Sequence, residues 1–383
     1  MSSTIIASVR GRRVWDSRGR PTVEAELRLA GGARGIAIAP AGASTGSGEA
    51  LDRRDGGTAF GGYDVKGAVA SVNEEIAPRV IGMDAADQVA LDAALIALDG
   101  TANKSRLGAN ATLAVSMAAA HAAAHAHGTL LWKHLGGDEA TLLPLPQIQI
   151  LGGGAHAGRR VDIQDFLVIC PAATSFAEAL DWTAEVYRAA GGIMKDRGLL
   201  QGVADEGGWW PAFSANEQAL ETLVAAIERA GFKPGEQVAI ALDIAATDFG
   251  RGGRYRLGLE GRELDTDGMI RMLLGWIEAY PIASIEDPLA EDDAEGFAAF
   301  TREVGHRIQV VGDDFLVTDA ARVRDAARHG AANTVLIKPN QRGTLTETKA
   351  AWDAAREVGY AGIVSARSGE TEDVTIVHLA LGW

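Results

Sequence analysis

The sequence predicts a two-domain α/β protein: an N-terminal α+β domain, built as a β-meander followed by helices, and then a (β/α) barrel. Three observations predict it. Residues 4–40 hold short runs that alternate apolar and polar positions with period two. An alanine-rich, helix-patterned stretch follows. Beyond it, short apolar runs recur, each ending in an ionisable residue and each followed by a helical stretch. At 383 residues the chain is long for one hydrophobic core, and we place the domains at residues 1–137 and 138–383.

In the meander, Thr22-Val23-Glu24-Ala25-Glu26-Leu27 alternates as a half-buried strand does. Gly31-Gly32 marks the turn before Gly35-Ile36-Ala37-Ile38-Ala39. Residues 41–60 form a loop rich in glycine, serine and alanine, and helical patterning runs from about Val65 to His127. Alanine-dense runs such as Ala111–Ala126 become helical at little entropic cost. The segment Leu142-Leu143-Pro144-Leu145-Pro146 reads as a linker. In the second part, apolar runs end at Asp243, Glu286, Asp313, Lys338 and Arg367, spaced 25 to 43 positions apart. Each interval is long enough for the crossover helix that parallel strands require. The widest also holds a hairpin-like insert, Arg251–Leu264. A doubly wound open sheet is the alternative, but no GxGxxG follows an early strand.

Composition narrows the function. The chain carries 36 Lys+Arg against 51 Asp+Glu, a net charge of −15, which repels nucleic-acid phosphates and argues against a nucleic-acid partner. The single cysteine, Cys170, lies in an apolar run and reads as a buried thiol, so there is no disulfide framework. Leu107–Trp132 lacks Asp, Glu, Lys and Arg and is long enough to span a bilayer. It is built on alanine and carries His121, His125 and His127, which predicts a buried helix rather than a membrane span. The N-terminus has no signal-peptide pattern, and the expectation is a soluble, cytoplasmic protein without a membrane partner.

Asp243, Glu286 and Asp313 close different strands, so neighbouring strands would bring three carboxylates together. Their mutual repulsion is relieved by a hard divalent cation, and an all-oxygen donor set favours Mg²⁺. Lys338 closes the next strand and is expected to have a lowered pKa suited to a base; pairing with Asp313 is the alternative. Glu206, in Asp205-Glu206-Gly207-Gly208, is either an acid facing that base or ordinary turn chemistry. His156 sits in the glycine-rich run Gly152–Gly158, where it either meets a ligand or is a solvated loop side chain. Ser44, in Gly42-Ala43-Ser44-Thr45-Gly46, is either part of a loop closing over an anion or a turn serine. Arg367-Ser368-Gly369 offers a guanidinium, a hydroxyl and backbone donors, a phosphate clamp or a surface arginine after a strand.

These motifs, together with Asp16-Ser17-Arg18-Gly19, Leu98-Asp99-Gly100-Thr101, Asn103-Lys104-Ser105, Leu107-Gly108-Ala109-Asn110, Ser284-Ile285-Glu286-Asp287-Pro288, Gly312-Asp313-Asp314 and Arg367–Asp373, resemble the enolase (phosphopyruvate hydratase) family over residues 4–382. The resemblance implies an enolase-type barrel and two Mg²⁺ per active site, the first on Asp243, Glu286 and Asp313 and the second helped by Ser44. It implies Lys338 as the base, Glu206 as the acid, and substrate contacts from His156, Gln164, Asp165, Arg367 and Ser368. It also implies a homodimer acting on a small phosphorylated hydroxy acid, interconverting 2-phospho-D-glycerate and phosphoenolpyruvate.

The sequence departs from the family pattern near this site. Ala366 replaces a histidine, Asp165 a glutamate, Gly152 an asparagine and Ala41 a serine; Pro339 follows Lys338, Arg342 replaces an aliphatic residue, and Trp209-Trp210 follow Gly208. The chain ends at Trp383, before the family's last strand with its second lysine, so the barrel is expected to lack that strand. Two further readings stay open: the same dehydration on a carboxyphosphono analogue, with Arg342 receiving an extra acidic group, or a binding protein that kept the fold and lost the chemistry.

Overall fold

The computed structural model describes residues 3–43 and 45–383. The first part is an antiparallel meander of β1 (Ile6–Trp15), β2 (Pro21–Leu29) and β3 (Arg34–Ile38). Its outward positions pair charges across strands: Arg12 lies opposite Glu24, and their side chains form an ion pair. Its inward positions, among them Val23, Ala25 and Leu27, are fully buried. They pack on the helix Ala109–Ala126, which is buried along most of its length, as its lack of charge predicts. Small residues allow a close approach there, since a Cβ at Gly35 would collide with the backbone of Ala118 and Ala122. No helix among the described residues is long and apolar enough to cross a membrane.

Two hydrophobic cores form. One gathers residues from Ile6 to Leu131 together with Leu345 and Leu379, and the other residues from Ile150 to Ala355. The second surrounds a nine-stranded sheet made of β4 (Ile148–Gly152), β5 (Asp165–Ile169), β6 (Leu200–Val203), β7 (Trp209–Pro211), β8 (Ala239–Asp243), β12 (Ile282–Glu286), β13 (Gln309–Gly312), β14 (Thr334–Ile337) and β15 (Ala361–Val364). Between β8 and β12 lies a separate small sheet, β9 (Gly250–Arg251), β10 (Arg254–Leu257) and β11 (Arg262–Asp265), where the hairpin-like insert was expected. The large sheet runs in the order β15-β14-β13-β12-β8-β5-β4-β7-β6. From β8 to β15 it is parallel, with helices in the intervals, whereas β5 runs antiparallel to both β4 and β8. Among the described residues β15 and β6 do not pair, so the barrel is not closed, and Ala361 and Gly362 of β15 are exposed.

The last helix, Thr375–Gly382, bridges the two parts: Leu379 is buried in the first core, the helix lies against the helix Leu131–Gly136, and it also contacts β15, with Trp383 packed against both cores. Glycines permit this, because a Cβ at Gly136 would meet the backbone of Gly382. The two parts are also joined by Lys104 to Glu347 at 2.7 Å and by the Thr112 hydroxyl donating to the Gly343 carbonyl at 2.9 Å.

Between the last helix and the alanine-rich one, His121 Nε2 lies 2.9 Å from Thr375 Oγ1, with the His378 ring 5.4 Å away. Burial lowers the His121 pKa to about 4; Asp373 opposes the shift, and His378 and His125 add to it. The folded-state pKa is thus below the unfolded value near 6.5. Stability contributed by neutral His121 is complete above pH 6.5 and is lost as pH falls toward 4, up to about 3 kcal/mol. Thermal melts from pH 7 to 4 should show a steep loss of stability that His121→Gln flattens; parallel curves would mean His121 does not drive it.

Candidate active site

Parallel strands deliver side chains to one sheet end, and here they deliver the charged ones. Asp243 and Glu286 are the last residues of β8 and β12 and are direct partners in register. Asp313 and Lys338 immediately follow β13 and β14. Lys338 Nζ lies 2.5 Å from Asp313 Oδ2 and 4.0 Å from Glu286 Oε1, and Gln341 Nε2 donates to Asp313 Oδ1 at 2.8 Å. Burial pushes the Asp243 and Glu286 carboxyls well up. Asp165 and Asp313 add to this at Asp243, and Asp243 and Asp313 at Glu286. Burial also opposes charge on Asp313, but Lys338 and Arg367 outweigh it and hold that carboxyl below its ordinary range.

This cluster fits a hard cation. Its donors are oxygens, two of its carboxyls are disfavoured as anions by burial and like charge, and among the described residues the buried Gln164 Oε1 has no hydrogen-bond partner. Gln164 is fixed there because its Nε2 donates to Asp243 Oδ2 at 2.8 Å. The tightest sets of potential ligands, with donor atoms all within 4.8 Å of one another, are His156–Asp165–Glu206 and Asp287–Asp313–Asp314; Asp243, Glu286 and Asp313 are not one of these sets. Asp287 is already engaged, accepting from the Asp313 and Asp314 amides at 2.9 and 2.7 Å, so it shapes the turn after β13.

A second group of side chains forms an acid–imidazole chain. His156 Nδ1 lies 2.9 Å from Asp165 Oδ1, and its Nε2 lies 3.0 Å from Ser368 Oγ and 3.7 Å from Glu206 Oε1. Burial opposes the imidazolium, but Asp165, with Glu206 and Asp243 behind it, raises the His156 pKa to about 9. The Glu206 backbone faces solvent in a left-handed conformation, φ 70°, while its side chain turns in and is 27% exposed. Burial, then Asp165, raises its carboxyl to about 7, against the pull of His156 and Lys338. A carboxyl held near neutrality is suited to give up a proton.

Arg367 is no surface arginine. It is buried, and its Nη1 donates to Glu49 Oε2 at 3.0 Å and to Asn340 Oδ1 at 2.8 Å. Ser368 Oγ also accepts from the Ala43 amide at 3.2 Å. The N-terminal domain therefore contributes directly to the site, through Glu49 and the Ala41–Gly369 bridge.

Two residues here escaped sequence reasoning. Glu49 lies in a glycine-serine loop, where nothing local distinguishes it from a solvated acid. Gln149, on β4, has a fully engaged amide: its Oε1 accepts from the Gly208 amide at 2.6 Å, and its Nε2 donates to Asp165 Oδ1. It thereby ties the loop of Glu206 to the partner of His156. Only its polarity in an otherwise apolar strand, Ile148-Gln149-Ile150-Leu151, could have signalled it.

Some expectations need correction. The Lys338 pKa is not lowered: burial acts that way, but Asp313 and Glu286 outweigh it and raise the value, so the lysine is held charged. His156 is not a flexible loop side chain but 5% exposed within a short turn, Gly154–Ala157. Arg342 does not await an acidic substituent, because it pairs with Asp319 at 2.9 Å and lies 3.6 Å from Glu347. Ala366 is exposed, and Ser44 lies outside the described residues.

Charged acid–base groups gathered at the ends of parallel strands, with an α+β domain contributing Glu49, are the arrangement of an α/β-barrel enzyme site. Residues 6–135 match the family model described as the enolase N-terminal domain, and residues 140–383 match the enolase C-terminal TIM barrel domain. The chain belongs to the enolase family, whose general chemistry is that of a Mg²⁺-dependent lyase.

Proposed function

We propose that this protein dehydrates a small phosphorylated hydroxy acid, interconverting 2-phospho-D-glycerate and phosphoenolpyruvate. The reading rests on two groups close enough to feel one another: Lys338, buried among carboxylates, and Glu206, whose pKa is raised to about 7 beside His156 against the pull of Lys338. Asp243, Glu286 and Asp313, with Ser44 for a second ion, would hold Mg²⁺. Mg²⁺ bound there would neutralise these carboxylates and the charge developing on the substrate carboxylate. With Mg²⁺ balancing Asp313 and Glu286 in its place, Lys338 would lose its proton to solvent, and the neutral Nζ then takes the proton from the carbon that bears the phosphate. The electron pair of that C–H bond forms the carbon–carbon double bond, the C–O bond at the next carbon breaks, and Glu206 gives its proton to the departing hydroxide, which leaves as water. His156, oriented by Asp165, stands beside Glu206 and can bind the leaving oxygen. Arg367 and Ser368 bind phosphate, and Gln164 presents its unpartnered oxygen to the same space.

Asp165 and Ala366 favour a second reading, the same dehydration on a carboxyphosphono analogue. Asp165 is a methylene shorter than the family's glutamate, and Ala366 carries no imidazole. A direct assay separates the two. With Mg²⁺ present, phosphoenolpyruvate formation from 2-phosphoglycerate should exceed turnover of the phosphonate analogue. The reverse ranking supports the second reading, and Mg²⁺ binding without turnover of either would leave a non-catalytic binding protein.

A further inference from the structure

The hairpin β9–β10 and the loop that follows the His156 turn enclose a cavity of about 580 Å³, lined by Arg159, Arg251, Arg254, Arg256, Asp162 and Asp248. Strand alternation buries Tyr255 and Leu257 and turns Arg254 and Arg256 outward together. Arg251 is the direct cross-strand partner of Arg254. Like charges placed opposite one another disfavour a hairpin, and although Arg254 and Arg256 lie opposite Asp265 and Glu263 on the other side of β10, their guanidinium groups do not pair with those acids. Among the described residues, the guanidinium groups of Arg251, Arg254 and Arg256 make no hydrogen bond or ion pair.

The acids in the wall do not neutralise them. Asp162 is occupied, accepting from the Gly258 amide at 2.7 Å, the Leu259 amide at 3.2 Å and Asn216 Nδ2 at 3.0 Å. Among the described residues the Asp248 carboxylate meets Arg159 alone, at 3.4 Å and without a hydrogen bond. Arg159 itself holds a left-handed backbone, φ 57°, uncommon for a side chain of its size, and its amide closes the turn by donating to the Gly154 carbonyl at 2.7 Å. Four guanidinium groups thus face one cavity on a chain whose net charge is −15.

We propose that this cavity is a second anion site, separate from Arg367, that takes a small ligand with at least two phosphate groups. Guanidinium groups bind phosphate oxygens in pairs, and four of them match a diphosphate or bisphosphate better than a lone carboxylate. The rest of the surface carries the excess of acids behind the net charge of −15 and repels a long polyanion lying across it, which favours a small occupant over nucleic acid. The ligand would join the hairpin to Gly154 and Arg159, which bracket the turn that carries His156, and so hold that turn in place. The inference does not depend on which substrate the catalytic site takes.

Inorganic pyrophosphate is the probe, titrated calorimetrically against the full chain with a chelator present. Wild-type protein should bind it, and R254Q/R256Q should weaken binding by about tenfold or more. Both positions are exposed, so the variant is expected to fold. R302Q/R356Q removes equal charge from exposed positions on other helices and should leave the affinity unchanged. Hydrogen exchange at residues 154–160 should slow with pyrophosphate in wild type and not in R254Q/R256Q. Absence of binding to wild type, equal affinity in R254Q/R256Q, or an equal loss in the control pair overturns the proposal.

Discussion

Replacing Lys338 by alanine is expected to abolish exchange of the substrate α-proton and to reduce turnover by about 10³-fold or more, the scale on which a positioned base contributes. The amine is buried and lies between Asp313 and Glu286, and water has no equivalent basicity in its place. The same substitution should act on stability with a distinct signature. Asp313 loses its closest cation while remaining buried, and breaking a buried pair in this way costs about 3 kcal/mol. Thermal melts in chelator should therefore show a marked drop, and added Mg²⁺ should recover much of it, because a cation can take over the charge that the lysine balanced. Calorimetry should find Mg²⁺ affinity retained or increased. Normal proton exchange in Lys338→Ala would assign the base elsewhere; lost Mg²⁺ binding would mean that Lys338 shapes the site rather than serving as its base.

Replacing Gln149 by leucine is expected to lower kcat by about 10²-fold with little change in KM, since misplacement of an acid by an ångström has effects of this size. Gln149 touches no reacting atom in this scheme. It acts through its two contacts, the Gly208 amide beyond Glu206 and the Asp165 carboxylate behind His156. Leucine would leave a buried amide and a buried carboxylate short of partners, costing about 2 kcal/mol of stability. A purely structural role would lower the melting temperature and leave the pH–rate profile of the remaining activity in place. A positioning role would move the acidic limb of that profile, because the environments of His156 and Glu206 change together. Gln149→Glu, which keeps length and the acceptor but loses the donor, should recover binding of the Gly208 amide and not the contact to Asp165. Full activity in both variants would remove Gln149 from the machinery.

The sequence by itself determined the class of fold and most of the groups that carry charge into the site. A period-two meander, an uncharged alanine-rich helix, and apolar runs ending at Asp243, Glu286, Asp313 and Lys338 are local patterns, and local patterns are readable because strand and helix periodicity act over a few residues. The strands so identified all formed and lie parallel, and their last residues or immediate successors face one end of the sheet.

What only the tertiary structure decided was pairing across long separations. Glu49 meets Arg367 across more than half the chain, and Gln149 meets Gly208 from a different strand. No spacing rule announces such contacts, since each partner is ordinary in its own segment. The state of Lys338 is of the same kind. Its neighbours decide between a lowered and a raised pKa, and burial and two carboxylates pull in opposite directions with the carboxylates prevailing. The final helix likewise carries apolar residues that would suit either core. It touches β15 of the second, but its closest packing is on the first, where paired glycines at Gly136 and Gly382 let two backbones approach, a fit that exists only once both ends of the chain are in place.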